Sequence, residues 1–79
     1  MALDFIPDET LDCRDLYCPV PILKTTEALG KMKSGQILEI LSTEPETKND
    51  LPVFASRFGH EYLGNIDEED FTRSYIMVK

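Results

Sequence analysis

The chain has 79 residues, a net charge of −7 and a hydrophobic fraction of 42%. This length predicts one domain, residues 1–79, and the apolar content excludes an intrinsically disordered chain. The acidic surplus repels phosphate groups, so we expect neither direct nucleic-acid binding nor attachment to an anionic membrane. No apolar run approaches the length of a membrane span, and residues 1–5 carry no secretory signal. We therefore expect a cytoplasmic protein whose cysteines stay reduced.

Residues 1–9 are interpreted as a loose N-terminal leader, and four strands and two helices follow. The strands are predicted from polar–apolar alternation or short apolar runs, and the helices from apolar residues at helical spacing. In chain order we predict a strand over 10–13, a helix over 19–33, a strand over 36–42, a helix from 47 or 49 to 58, and strands over 60–66 and 71–78.

Each predicted helix has one apolar face. The first is expected to bury Ile22, Thr25, Ala28, Leu29 and Met32, and the second Leu51, Phe54, Ala55 and Phe58. Asp50 is interpreted as the cap of the second helix, with Pro52 in its first turn.

The element order βαβαββ predicts an α+β fold, a two-layer α/β sandwich with a four-stranded mixed sheet and both helices on one face. A crossover through a helix should leave the first two strands parallel. The short acidic turn between the last two strands should leave that pair antiparallel.

Cys18 is the candidate reactive residue, because it directly precedes the predicted first helical residue, Pro19. A thiol at a helix N-terminus is stabilised as the thiolate, and the same position favours an anionic persulfide. Pro19 and Pro21 lack amide hydrogens, which weakens this effect, but Pro19 also restricts the backbone of Cys18. The sequence thus predicts a rigidly presented, mildly activated thiol. The alternative is a buried cysteine acting as a small hydrophobic residue.

Charged residues surround this cysteine in the sequence. Asp12 and Asp15 should oppose thiolate formation, and Arg14 should favour it. Arg14 and Lys24 are the nearest cations, available to a persulfide or to a carboxylate of a partner.

The second cysteine, Cys13, has two interpretations. We favour an inward-facing strand residue over a resolving thiol that forms a reversible disulfide with Cys18. These two cysteines and His60 match no zinc-ligand spacing and lack a fourth ligand, so no metal site is predicted. For His60, a structural role in a turn is favoured over that of a base.

Four segments, in this order, resemble the TusA-like (also SirA-like) family of sulfur-carrier proteins. The resemblance extends from about Thr10 to Lys79 and includes the Cys-Pro-x-Pro motif as Cys18-Pro19-Val20-Pro21. The matching segments are 11–23, 33–36, 44–45 with 50–52, and 59–61. The chain has Asp15 where the family often has glycine, and Tyr17 where it often has a basic residue.

The resemblance implies a sulfurtransferase-type carrier that acts with partner proteins and needs no cofactor. Cys18 would accept sulfane sulfur from a cysteine desulfurase or a rhodanese-like donor and hand it to a sulfur-accepting protein. The acceptor would belong to tRNA thiolation, molybdenum-cofactor biosynthesis or sulfur oxidation. Pro19, Pro21, Arg14 and Asp12 are the expected supporting residues, and a monomer is expected.

Two other classes of function stay open at this point. One is a redox or regulatory module that uses Cys13 and Cys18 as a pair. The other is a non-catalytic interaction domain in which Cys18 is structural.

Overall fold

The computed structural model of the chain describes residues 6–17 and 20–79. Residues 1–5, most of the predicted leader, lie outside this part. The elements are β1 Glu9–Cys13, α1 Val20–Gly30, β2 Ile37–Ser42, α2 Pro45–Arg57, β3 Glu61–Asp67 and β4 Thr72–Met77. The predicted order βαβαββ is confirmed.

The four strands form one mixed sheet in the order β1-β2-β4-β3. β1 pairs with β2 in parallel, and β4 pairs antiparallel with both β2 and β3. The predicted parallel and antiparallel pairs are therefore confirmed. The last strand enters the sheet between β2 and β3, which leaves β1 and β3 as the edges.

The hydrophobic core lies between the sheet and the two helices. Leu38 of β2 faces Ile76 of β4 across the ladder, and both are buried against Leu29 of α1 and Leu51 of α2. Burial of each such side chain stabilises the fold by about 1.5–3 kcal/mol. The hydroxyl of Thr25, which is buried in the same layer, donates a hydrogen bond to the Pro21 carbonyl at 2.8 Å. Both helices thus cover one sheet face, as the two-layer sandwich requires.

α1 ends at Gly30, three residues before the predicted end. The Lys31 amide donates to the Ala28 carbonyl, and the Met32 amide donates to the Leu29 carbonyl. Both bonds span three residues, so the chain leaves the helix through a tighter turn. Gly35 then adopts a φ of 90°, a left-handed conformation that suits glycine, and the chain turns into β2.

The predicted start of α2 is wrong. The helix begins at Pro45, and its cap is Glu44, whose carboxylate accepts from the Glu46 amide at 3.1 Å. Pro45 fits the first helical position because it has no amide hydrogen to leave unpaired. Asp50 and Pro52 consequently lie inside the helix, so Asp50 is not its cap.

The predicted core faces are confirmed except at one position. Phe58, expected to be buried, is 59% exposed and follows the last residue of α2. Its ring lies 4.9 Å from that of buried Phe54, so it covers the core edge from outside.

Candidate functional site

The candidate site lies at the sheet end where β1 and β2 terminate. Cys13 is in register with Ser42, which is itself in register with Thr72. The loop 14–17 leaves β1 at this end and leads into α1. Cys18 and Pro19, the predicted sulfur carrier and its rigid neighbour, lie outside the described residues. The residues on either side are joined by a hydrogen bond, from the Val20 amide to the Tyr17 carbonyl at 2.9 Å.

The loop before the cysteine has a fixed shape. Asp15 adopts a φ of 65°, a conformation that favours glycine. Its amide donates to Thr43 Oγ1 at 2.9 Å, and the Leu16 amide donates to the Cys13 carbonyl at 3.2 Å. The aspartate therefore adopts a left-handed turn that glycine would adopt with less strain.

Asp12 and Arg14 form a two-point ion pair. The Nε and Nη2 atoms of Arg14 donate to the two carboxylate oxygens of Asp12 at 3.0 and 2.9 Å, and the Arg14 amide donates at 3.1 Å. These bonds lower the pKa of Asp12 from 3.8 to about 2 and raise the pKa of Arg14. Because the two charges cancel, the effects that the sequence predicts for them on thiolate formation at Cys18 largely offset each other.

Phe71 links this pair to the sheet and was not found by sequence reasoning. The guanidinium carbons of Arg14 and Arg73 each lie 5.3 Å from the centre of its ring, within range for cation–π contact. Arg73 also binds Glu68 at 2.8 Å and Glu39 at 3.3 Å. An aromatic residue just after an acidic turn is the only signal for this arrangement in the sequence.

An open cleft of about 650 Å³ adjoins the loop. Its lining carries carboxylates and cations together with one aromatic ring. The lining residues are Asp12, Arg14, Asp15, Leu16, Lys24, Thr43, Asp70 and Phe71. Such an open surface of mixed charge suits contact with polar groups of a partner better than enclosure of a small apolar ligand.

Large apolar side chains are exposed on both sides of the cysteine. Tyr17 is 69% exposed and Leu23 is 63% exposed, and Val20 lies between them. Pro21, by contrast, is buried in the first turn of α1, so this predicted supporting residue anchors the helix. The three exposed residues lie within positions 17–23, and exposed apolar side chains near one another are typical of a protein-docking surface.

The predicted second thiol, Cys13, is fully buried in the core. Burial raises the pKa of this thiol, Lys24 lowers it and Asp12 raises it further. A buried thiol held protonated is a poor nucleophile. The interpretation as an inward-facing strand residue is confirmed.

His60 lies at the opposite end of the sheet. Its Nδ1 accepts from the Lys79 amide at 3.3 Å, and its own amide donates to the Ala55 carbonyl at 2.8 Å. These contacts favour the structural role over that of a base.

Within residues 6–17 and 20–79, no group of three or more His, Cys, Asp or Glu side chains is arranged to hold a metal ion. No helix in the described part of the chain is long and apolar enough to cross a bilayer.

Comparison with known proteins yields one consistent family. Residues 9–78 match the family described as Sulfurtransferase TusA. The chain is 41% identical over 69 residues to the putative sulfur carrier protein YrkI of Bacillus subtilis, covering 87% of this chain and 92% of that one. It is 37% identical over 65 residues to the sulfur carrier protein TusA of Pseudomonas entomophila, covering 82% and 81%. The crystal structure of the SirA-like protein from Desulfitobacterium hafniense has the same fold, with a TM-score of 0.73, 22% identity, and 87% and 95% coverage.

Proposed function

Because the chain belongs to the TusA sulfurtransferase family, we propose that it carries sulfane sulfur as a persulfide on Cys18. The family match over residues 9–78 supports this most directly, since it includes the Cys-Pro-x-Pro segment 18–21. Burial of Cys13 supports the choice of Cys18 between the two thiols.

The proposed reaction is a pair of thiol–persulfide exchanges. The Cys18 thiolate attacks the outer sulfur of a donor persulfide, a new S–S bond forms at Cys18, and the donor cysteine leaves as a thiolate. A thiolate of the acceptor then attacks the outer sulfur on Cys18. That sulfur moves to the acceptor, and Cys18 leaves as a thiolate. Neither exchange has a net oxidation, so the reaction needs no cofactor.

The donor is a cysteine desulfurase or a rhodanese-like protein, and the acceptor is a protein of tRNA thiolation, molybdenum-cofactor biosynthesis or sulfur oxidation. The exposed side chains of Tyr17, Val20 and Leu23 support docking of such proteins beside the cysteine. We place the exchange in the cytoplasm, where the thiol stays reduced.

The neutral Asp12–Arg14 pair suits a carrier that must both accept and release sulfur. A strongly acidified thiol is a good leaving group but a weak nucleophile, and exchange is fastest when the thiol pKa is near the ambient pH. Because the charges of this pair cancel, they avoid a strong shift of the thiol pKa in either direction.

The test is intact-mass spectrometry of the reduced protein after incubation with a sulfane-sulfur donor. One added sulfur, about 32 Da, is expected in the wild type and in Cys13→Ser, and none in Cys18→Ser. Loss of two hydrogens without a sulfur adduct would favour the Cys13–Cys18 redox module. No modification in any variant would favour a non-catalytic interaction domain.

A further inference from the structure

A groove runs along the open edge of the sheet, between β1 and α1. Its volume is about 520 Å³. The wall on one side is Glu9, Thr10 and Leu11 of β1, and on the other Lys24, Glu27 and Ala28 of α1, with Lys31, Met32, Lys33, Gln36 and Leu38 at one end. The proposed sulfur exchange does not use this groove.

The edge of β1 carries peptide groups that face the groove. The Val78 amide donates to the Gln36 carbonyl, so Gln36, and by alternation Leu38, direct their peptide groups toward β4. The peptide groups of Glu39 therefore face β1. Glu39 is in register with Thr10, and the β1 peptide groups that face it belong to the residues on either side, Glu9 and Leu11. By the same alternation, the N–H and C=O of Thr10 face the open edge.

The groove is basic in a strongly acidic protein. Three lysines and two glutamates line it, whereas the chain as a whole has a net charge of −7. The carboxylate of Glu27 already pairs with the ammonium group of Lys31, at 3.8 Å. Among the described residues, Lys24 and Lys33 have no ion pair, while most other cations, such as Lys48 and Arg73, are paired with carboxylates.

We propose that this groove binds an extended, acidic segment of a partner protein, which adds to the sheet as a strand beside β1. An extended peptide gains affinity from main-chain bonds to an exposed strand, and the side-chain pockets give it specificity. Here the Thr10 peptide groups supply those bonds, and Lys24 and Lys33 select carboxylates. A second copy of this chain fits poorly, since edge-to-edge pairing about a two-fold axis would bring like-charged lysines together.

The groove also leads toward the candidate site. Lys24 lines both the groove and the cleft beside the loop 14–17. A segment bound along β1 would tether its parent protein close to the start of α1. The inference goes beyond the proposed function, because binding here requires no sulfur on Cys18.

The experiment measures binding of fluorescein-labelled octapeptides to the reduced full chain, without any sulfur donor, by fluorescence anisotropy. The acidic probe alternates valine with glutamate or aspartate, and the basic probe alternates valine with lysine. We expect the acidic probe to bind and the basic probe not to bind. Lys24→Glu with Lys33→Glu should weaken binding at least about tenfold. Lys79→Glu should not, since the ammonium group of Lys79 pairs with Glu61 of the other edge strand, β3.

A second pair of variants tests the main-chain bonds. Thr10→Pro removes the outward amide at an edge position that tolerates proline, and should abolish binding. Thr10→Ala loses the same hydroxyl but keeps the amide, and should bind normally; circular dichroism checks that both variants fold. The proposal is overturned if the acidic probe does not bind, if the basic probe binds equally well, or if Thr10→Pro binds like Thr10→Ala. It is also overturned if sedimentation shows a dimer that Thr10→Pro alone dissociates, since a second copy would then occupy the groove.

Discussion

The phenol of Tyr75 donates a 2.7 Å hydrogen bond to the carboxylate of Glu39, on the sheet face that the helices leave uncovered. The two residues are directly opposed on β2 and β4. The same carboxylate accepts from Thr10 at 3.1 Å and from Arg73 at 3.3 Å. A buried charge is tolerated here because three donors replace its hydration.

Removal of Glu39 should destabilise the protein. Glu39→Ala leaves the hydroxyls of Thr10 and Tyr75 without their acceptor, at a cost of about 1–3 kcal/mol. Urea unfolding at pH 7 measures this loss. Tyr62→Phe is the matched control, since its hydroxyl makes a longer bond of 3.2 Å to Asn65 in a less buried place. An unchanged free energy of unfolding in Glu39→Ala would contradict the assignment.

Stability should fall at alkaline pH because of Tyr75. Burial and the bond to Glu39 raise the pKa of its phenol from 10.0 to about 12. A raised folded pKa favours the folded state while the group is protonated, and this contribution is lost as the pH rises from 10 to 12. Urea unfolding across this range should show the loss in the wild type and a smaller one in Tyr75→Phe. Equal slopes in the two proteins would refute the assignment.

Stability should also fall at acid pH because of Asp12. Its pKa of about 2 lies below the ordinary value of 3.8, so its contribution is present above pH 4 and is lost as the pH falls toward 2. Arg14→Gln removes the partner, and the carboxyl pKa should then return toward 3.8. Carbon-detected NMR titration of the side chain measures this directly. A titration curve for Asp12 unchanged by the substitution would show that the arginine is not the cause.

Asp15→Gly should stabilise the loop before the cysteine. Glycine relieves the left-handed strain of a φ of 65°, and the amide can still donate to Thr43. The expected gain is at most about 1 kcal/mol, because glycine also costs more backbone entropy on folding. Asp15→Val should lose about 1–2 kcal/mol, since a β-branched residue fits this conformation worst. Thermal unfolding of the two variants beside wild type gives both values, and a destabilised glycine variant would argue against strain at this position.

The two cysteines should differ sharply in reactivity. Cys13 is fully buried, so iodoacetamide should modify it only after unfolding, even in Cys18→Ser. Cys13→Ser buries a hydroxyl in the hydrophobic core and should cost about 1–3 kcal/mol, whereas Cys13→Ala should cost less. Rapid modification of Cys13 in folded Cys18→Ser would return the redox module to consideration.

The sequence by itself determined the element order, the parallel pairing of β1 with β2, and the helix faces that bury Leu29 and Leu51. These follow from periodicity and from the chirality of a crossover, which are local properties. It also offered the segment around Cys18 as the candidate site, because the motif is contiguous. It did not determine the start of α2, since Pro45 and Pro52 both fit a first turn and the helix begins at Pro45.

Tertiary structure alone decided where β4 enters the sheet, and several features depend on that choice. Glu39 meets Tyr75 across 36 positions of sequence, and Phe71 meets Arg14 of the loop after β1. No local pattern encodes such contacts, because they arise when distant segments compete to cover the same surface. The same insertion left β1 at the edge of the sheet, where a groove opens between this strand and the lysine-bearing helix α1.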